Sequence, residues 1–480
     1  MGHSWSLTFL TSPLFWLVVV AFAYAVAQLV VMDLNRWFAW DEAIYASEVS
    51  RSADAIFLGA HRARGVTFIV APILQVTESI LATRVYLVAV SSVGLALAFL
   101  PWVSVIGRAA PIGAALFGSS WLTLFYGSEV MPNLYSALFL VAAIGLGLAY
   151  VELGSKRTIV SAVACVAAGA FLRPLDAATV VAALASITLF VRNRQSLRLA
   201  LGAGIGFMAG MIPWLLEAWA RFGGPAQRLN RTRELVGGGA RNNVFEYLRL
   251  LDGPLSGPDP SRELEPSLLV WLVGLAALAL IALFVSPQGW RLHARVTLLS
   301  SAGLALPYLA LSEAAAPRFL LPTLGVLSLA AAIGLNAIQL PPHPTLRWIA
   351  ISFVVLAMAT MNAGVFAEIA SQQSDARARG LLLAEALDDR SEPGTCFFLS
   401  SSGFPQISYA TGCEGSSFAS EGSRNLEKLE RARSEGKQLF LVINDVDTVT
   451  TLSSEWQCSG VEGLEDRHWH LCEFSALFTQ

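Results

Sequence analysis

Charge is scarce in this chain. Only 14% of its 480 residues are Asp, Glu, Lys or Arg, against about 25% in soluble domains. Lysine occurs only at Lys156, Lys428 and Lys437, so arginine supplies nearly all the basic groups. The net charge of −3 offers no basic field for nucleic acid. Residues 1–10 hold neither Lys nor Arg. The basic start of a secretory signal is therefore missing, and Ala25-Val26-Ala27 is not read as a cleavage site. No Walker sequence is present. What remains is apolar, with 55% hydrophobic residues and a mean hydropathy of +0.58.

Runs of about 20 apolar residues are long enough to cross a bilayer. Such runs are expected near 12–31, 84–105, 110–127, 133–152, 157–173, 175–191, 198–219, 267–286, 296–312, 318–338 and 346–367. The chain thus reads as an all-α polytopic membrane protein of about eleven spans. The stretch 66–80 is apolar but short, and reads as re-entrant or interfacial. With the N-terminus in the cytoplasm, the short inside turns hold Arg108, Lys156 with Arg157, Arg192 with Arg194 and Arg198, Arg291 with Arg295, and Arg347. That satisfies the positive-inside rule. It also divides the chain into a membrane domain, 1–370, and an extracytoplasmic tail, 371–480.

Four of the five cysteines, Cys396, Cys413, Cys458 and Cys472, lie in this tail. An even set in a small domain suits two disulfides in an oxidising compartment. Cys396–Cys413 with Cys458–Cys472 is the preferred pairing because each closes a short loop, although three pairings are open. The tail reads as a small α/β domain: strands at Cys396-Phe-Phe-Leu-Ser, Gln438–Ile443 and Trp469–Phe474, and a charged helix over Asn425–Gly436. His468 and His470 would share one strand face. Two histidines without further ligands make a poor metal site, so no metal is expected. Asn230-Arg231-Thr232 fits an N-glycosylation sequon and is given no role.

An acidic pair, Asp41-Glu42, follows the first apolar run, behind Trp37-Phe38-Ala39-Trp40 and ahead of Tyr45. Charge near a membrane boundary is costly unless it faces water or a substrate. Two outside loops also break the positive-inside rule. One holds Arg36, Arg51, Arg62, Arg64 and Arg84; the other holds Arg221, Arg228, Arg231, Arg233, Arg241 and Arg249. Arginine forks suit phosphate. Glu129, Asn133, Arg173, Asp176, Glu313 and Arg318 fall at turns on the same side.

Together these residues resemble the GT-C glycosyltransferases, the class of protein O-mannosyltransferases and lipid A aminoarabinose transferases (glycosyltransferase family 39-like). Trp40-Asp41-Glu42-Ala-Ile-Tyr45 looks like their first outer loop. Glu129-Val-Met-Pro132-Asn133 looks like their Glu…Pro-Asp turn, and Phe171-Leu-Arg173-Pro174 like their Arg-Pro turn. Pro213-Trp214 leading to Arg221-Phe-Gly-Gly resembles the span end before their large outer loop, and Arg318-Phe-Leu-Leu-Pro322 resembles the Arg-(Tyr/Phe)-x-x-Pro start of a late span. The motifs run in order through residues 10–367. Asn133 departs from the family's Asp, and His61-Arg62-Ala-Arg64-Gly65 replaces its Pro-Pro-Leu element.

The resemblance implies transfer of a sugar from a polyprenyl-phosphate carrier to an extracytoplasmic acceptor (a glycan, lipid or protein), by inverting displacement. The lipid-linked sugar is a substrate, and no cofactor is implied. By the same resemblance Asp41 matches the acid that acts as base or positions the acceptor, and it is the catalytic candidate together with its neighbour Glu42. Arg173, Arg318, Arg221, Arg62 and Arg64 are candidates for the donor phosphate, and Tyr45, Glu129 and Asn133 for the acceptor side. A flippase or transporter of an anionic lipid-linked sugar would use the same arginines but calls for internal repeats. A non-catalytic envelope assembly protein would work through its disulfide domain.

Overall fold

A computed structural model of the chain describes residues 12–237, 239, 241–253, 255, 265–312, 315–338, 344–392, 394–418, 422–444, 456–464 and 467–474. The candidate Glu313 and the segment 1–10 lie outside these residues. Every expected span falls on helix, the first over Pro13–Val31 and the last within Pro344–Asp388. The expected span 110–127 is instead two short helices, Ala109–Gly118 and Trp121–Tyr126, with Ser119 and Ser120 between them. The stretch expected near 66–80 holds a ten-residue helix, Gly65–Leu74. Among the described residues, seven helices are long and apolar enough to cross a membrane. This is the architecture of a multi-pass membrane protein.

The chain forms two compact units. The first gathers 1–32, 59–66 and 85–369; the second gathers 33–58, 67–84 and 370–480. In the first unit glycine lets helices approach closely, as lipid-embedded packing requires. Gly202, Gly206 and Gly210 line one ridge of the Arg194–Phe222 helix against the Lys156–Leu172 helix. A methyl added at Gly210 would stand 2.2 Å from the Ala167 carbonyl oxygen, and one at Gly206 2.5 Å from that of Val163. Gly334 meets the Leu278 carbonyl in the same way, at 1.9 Å.

Among the described residues of the second unit, five strands form one sheet: β1 (Cys396–Ser400), β2 (Glu414–Ser417), β3 (Gln438–Ile443), β4 (Trp456–Gly460) and β5 (His470–Phe474). Their order is β2-β1-β3-β5-β4. β1 runs parallel to β2 and β3, while β5 runs antiparallel to β3 and β4. β1 is buried along its whole length, which fits a parallel strand covered on both faces. One face packs Phe398, Phe440 and Val442 with Ile407, Leu383 and Leu387; the other packs Phe397, Leu399, Leu439 and Leu441 with Ala432.

The disulfides are Cys396–Cys413 and Cys458–Cys472, the preferred pairing. Cys458 and Cys472 stand directly opposite each other in the β4–β5 register. The helix Phe404–Thr411 and strands β2 and β4 were not expected. The histidine reading needs correction. β5 begins at His470, whereas His468 sits in a turn at φ 53°, and its carbonyl lies 2.9 Å from His470 Nδ1. The pair therefore does not share a strand face.

The glycine ridge yields a prediction. Gly210→Ala should destabilise the detergent-purified protein by about 1–3 kcal/mol, the usual cost of overpacking. Gly204→Ala, where nothing lies within 4 Å, should leave the melting temperature unchanged or raise it. Equal melting temperatures for the two variants would refute the packing argument.

Candidate active site

Each unit contains a polar centre. In the second unit, residues Trp40–Ser47 form an eight-residue helix with both acids in its first turn. There they oppose the positive end of the helix dipole. Asp41 is half-buried, whereas Glu42 is fully buried. Glu42 Oε2 accepts the Ala39 backbone N–H at 2.8 Å and so closes the helix start. Arg84 grips the same carboxylate with both terminal nitrogens, at 2.5 and 2.9 Å. A second guanidinium, from Arg377, lies 3.3 Å away. Arg84 also donates to the Trp37 carbonyl at 3.1 Å and lies over the Phe38 ring. Tyr45 is buried one turn beyond Asp41, on the same helix side.

Thus two acids adjacent in sequence differ in environment. Glu42 is enclosed and doubly ion-paired; Asp41 keeps part of its surface open. Arg84 reads in the sequence as one of several loop cations, and so does Arg36. Both are buried: Arg84 binds Glu42, and Arg36 donates to the Asp33 carbonyl at 2.7 Å. Neither is open to a ligand.

In the first unit, arginine outnumbers acid. Glu217, in the last turns of the Arg194–Phe222 helix, accepts from Arg64 at 2.9 Å, Arg221 at 3.2 Å and Arg228 at 3.0 Å. Arg228 has no exposed side-chain surface. Its other bonds run to the carbonyls of Ala60, Arg62 and Trp214, at 3.0, 2.8 and 2.9 Å, with the Trp214 and Phe222 rings on its faces. Burial lowers its pKa, and Glu217 opposes that shift. Arg228 therefore pins the 59–66 segment to the helix end. Arg64 and Arg221 keep 30% and 36% of their side chains exposed, so they remain reachable from solvent. The Arg62 guanidinium lies in the same segment, close to Gly59.

A second basic group forms where the Lys156–Leu172 helix ends. Arg173 donates to Asp176 and to the Tyr308 hydroxyl, both at 2.6 Å, and Tyr308 in turn donates to Asp176. The Arg173 and Arg318 guanidinium carbons lie 5.0 and 5.3 Å from the centre of the Phe319 ring. The structure thus brings these two predicted arginines together. Both act electrostatically on buried Tyr247, whose phenol burial nevertheless pushes up to about 12. Asn133 donates to the Arg318 carbonyl at 3.3 Å, a bond that an Asp, lacking a donor, would not make. Glu129 is buried at the preceding turn. Gly65 links the two basic groups: a methyl there would lie 2.7 Å from both Leu172 Cα and the Phe171 carbonyl.

Sequence reasoning missed Glu217, Tyr308, Tyr247 and Arg377. An acid four residues before Arg221 and a tyrosine near a span end were the available signals. Nothing in the sequence points from Arg377 to Glu42. Among the described residues, no group of three or more His, Cys, Asp or Glu side chains is placed to hold a metal.

No protein-family model and no curated protein matches the sequence. Solved structures match it by fold. ArnT from Cupriavidus metallidurans, bound to undecaprenyl phosphate, superposes with a TM-score of 0.68 at 12% identity, over 97% of this chain and 99% of that one. The oligosaccharyltransferase AglB from Archaeoglobus fulgidus, in complex with an inhibitory peptide and a dolichol-phosphate, gives 0.51 at 14% identity, over 89% and 69%. The arabinofuranosyltransferase AftD from Mycobacteria gives 0.57 at 15% identity, over 96% of this chain and 40% of that one. The fold is that of the GT-C glycosyltransferases.

The geometry separates structural from reachable arginines. Arg228→Met leaves Glu217 without its buried partner and should cost about 3 kcal/mol or more. Arg64→Gln and Arg221→Gln should each cost about 1 kcal/mol or less. Thermal unfolding of the purified variants tests this; equal losses in all three would contradict it.

Proposed function

We propose that this chain is a membrane glycosyltransferase that moves a sugar from a polyprenyl-phosphate carrier to an acceptor hydroxyl outside the cytoplasm. One observation carries the reading: Arg64 and Arg221 keep open surface where they meet Glu217, in a fold shared with proteins solved with undecaprenyl phosphate and with dolichol-phosphate. Polyprenyl phosphate leaves as an anion. Charged donors aimed at that leaving group lower the barrier. Arg64, Arg221, Arg173 and Arg318 take this role, with Arg62 beside them.

The acceptor side needs a base. Asp41 accepts the proton of the acceptor hydroxyl as that oxygen attacks the anomeric carbon. The bond from that carbon to the phosphate oxygen breaks, and its electron pair leaves with the phosphate. One displacement inverts the sugar. Glu42, held by Arg84 and Arg377, does not take up the proton; it fixes the helix that presents Asp41. The disulfides support an extracytoplasmic position for the tail, and reporter fusions after residue 474 test that placement.

Two expected outcomes test the chemistry. Asp41→Asn should bind polyprenyl phosphate normally yet lose about 10²–10⁴-fold in turnover, the usual cost of a lost general base. Near-normal turnover would remove Asp41 from the mechanism. Arg64→Ala, Arg221→Ala and Arg318→Ala should each weaken polyprenyl-phosphate binding about tenfold or more, since one charge-assisted bond is worth about 1.5–3 kcal/mol. Unchanged affinity in all three would show that these arginines are merely solvated.

A further inference from the structure

Nothing in the proposed chemistry calls for a C-terminal domain. Its contacts with the Trp40–Ser47 helix give it a part. Eight residues are too few for a helix to persist in water by itself, so the geometry of Asp41 depends on what holds its neighbours. Arg377 lies 3.3 Å from Glu42 Oε2 and donates to the Trp37 carbonyl at 3.4 Å. It stands on the same helix as Leu383, Ala384 and Leu387, which are part of the core beneath the sheet. Arg377 is therefore rooted in the α/β domain.

The Phe404–Thr411 helix provides a second hold. Phe404 meets the Trp40 ring edge-on, with centroids 4.8 Å apart. Tyr409 meets Phe38 edge-on at 5.1 Å and lies 6.1 Å from Trp37. With its amide turned so that both atoms are satisfied, Gln406 accepts the Trp40 backbone N–H at 3.1 Å and donates to the Gly403 carbonyl at 3.0 Å. The residues held in these ways are 37, 38, 40 and 42, on both sides of Asp41.

We infer that the C-terminal α/β domain is the clamp that sets the reactive position of Asp41, with Arg377, Gln406 and Tyr409 as positioning residues. The inference rests on the proposed role of Asp41. A shift of about 1 Å in a reacting group costs on the order of 10²-fold in rate, so a loosened clamp lowers turnover without touching the donor site.

The test uses the full-length purified protein with Arg377→Met, Arg377→Lys and Tyr409→Leu. It measures amide hydrogen exchange, turnover of a polyprenyl-phosphate-linked sugar, and affinity for polyprenyl phosphate alone. Exchange over residues 40–47 should quicken at least about tenfold in the Met and Leu variants, while β1 and β3 stay protected. Turnover should fall about tenfold or more with donor affinity within about twofold, and Arg377→Lys should recover part of both effects. If Arg377→Met does not fold, Tyr409→Leu, which removes no charge, carries the test. Unchanged exchange over 40–47 overturns the clamp whatever the activity. Faster exchange with full turnover overturns the positioning role. In that case an inactive Asp41→Asn protein leaves the role of the acid standing, and an active one removes it.

Discussion

The carboxylate of Glu42 is closed off from water, yet both of its oxygens are engaged. An ion without partners in such a place would cost several kcal/mol. Three elements distant in sequence therefore have to meet there: the start of the Trp40–Ser47 helix, Arg84 near the start of the Ile80–Ile106 helix, and Arg377 late in the Pro344–Asp388 helix. Arg84 meets the carboxylate as a fork, a geometry that lysine's single ammonium does not reproduce. The scarcity of lysine thus has a local structural counterpart, whatever its origin. Because Glu42 is fully committed, its neighbour is left as the acid with open surface.

Arginine serves two purposes in this chain, and burial separates them. Arg84 and Arg228 donate mostly to backbone carbonyls and enclosed carboxylates, and they hold segments together. Arg64 and Arg221 share Glu217 with Arg228 and retain open surface. Three cations thus share one carboxylate, and two of them keep surface that an anion could approach. Arg173 is intermediate: Asp176 and Tyr308 orient it, and its guanidinium, like that of Arg318, lies near the Phe319 ring.

Much of this was legible in the sequence, for definable reasons. Spans are written in long apolar runs, and each such run is helical. The strands Cys396–Ser400 and Gln438–Ile443 are continuous apolar runs of strand length, and both cysteine pairs are local. The edge strand Glu414–Ser417, reading EGSS with no apolar side chain, left no such trace. Side-chain partnerships were the least legible. Arg36, Arg62, Arg64 and Arg84 look alike in one loop, but their burial is decided by partners such as Glu217 and Glu42 that the chain brings in from elsewhere. The joining of 33–58 and 67–84 with the tail in one unit is likewise a long-range property that no local pattern records.

The bond between Arg377 and Trp37 spans 340 residues of chain. At about 5–20 residues per second of synthesis, Trp37 emerges roughly 20–70 s before its partner exists. Over that interval the segment bearing Asp41 has no finished scaffold to rest on. A polypeptide interrupted after Ser47 but before Arg377 would carry the Trp40–Ser47 helix without one of the two guanidiniums that meet Glu42. Synthesis thus sets a delay between the first appearance of this helix and the last of the contacts that hold it.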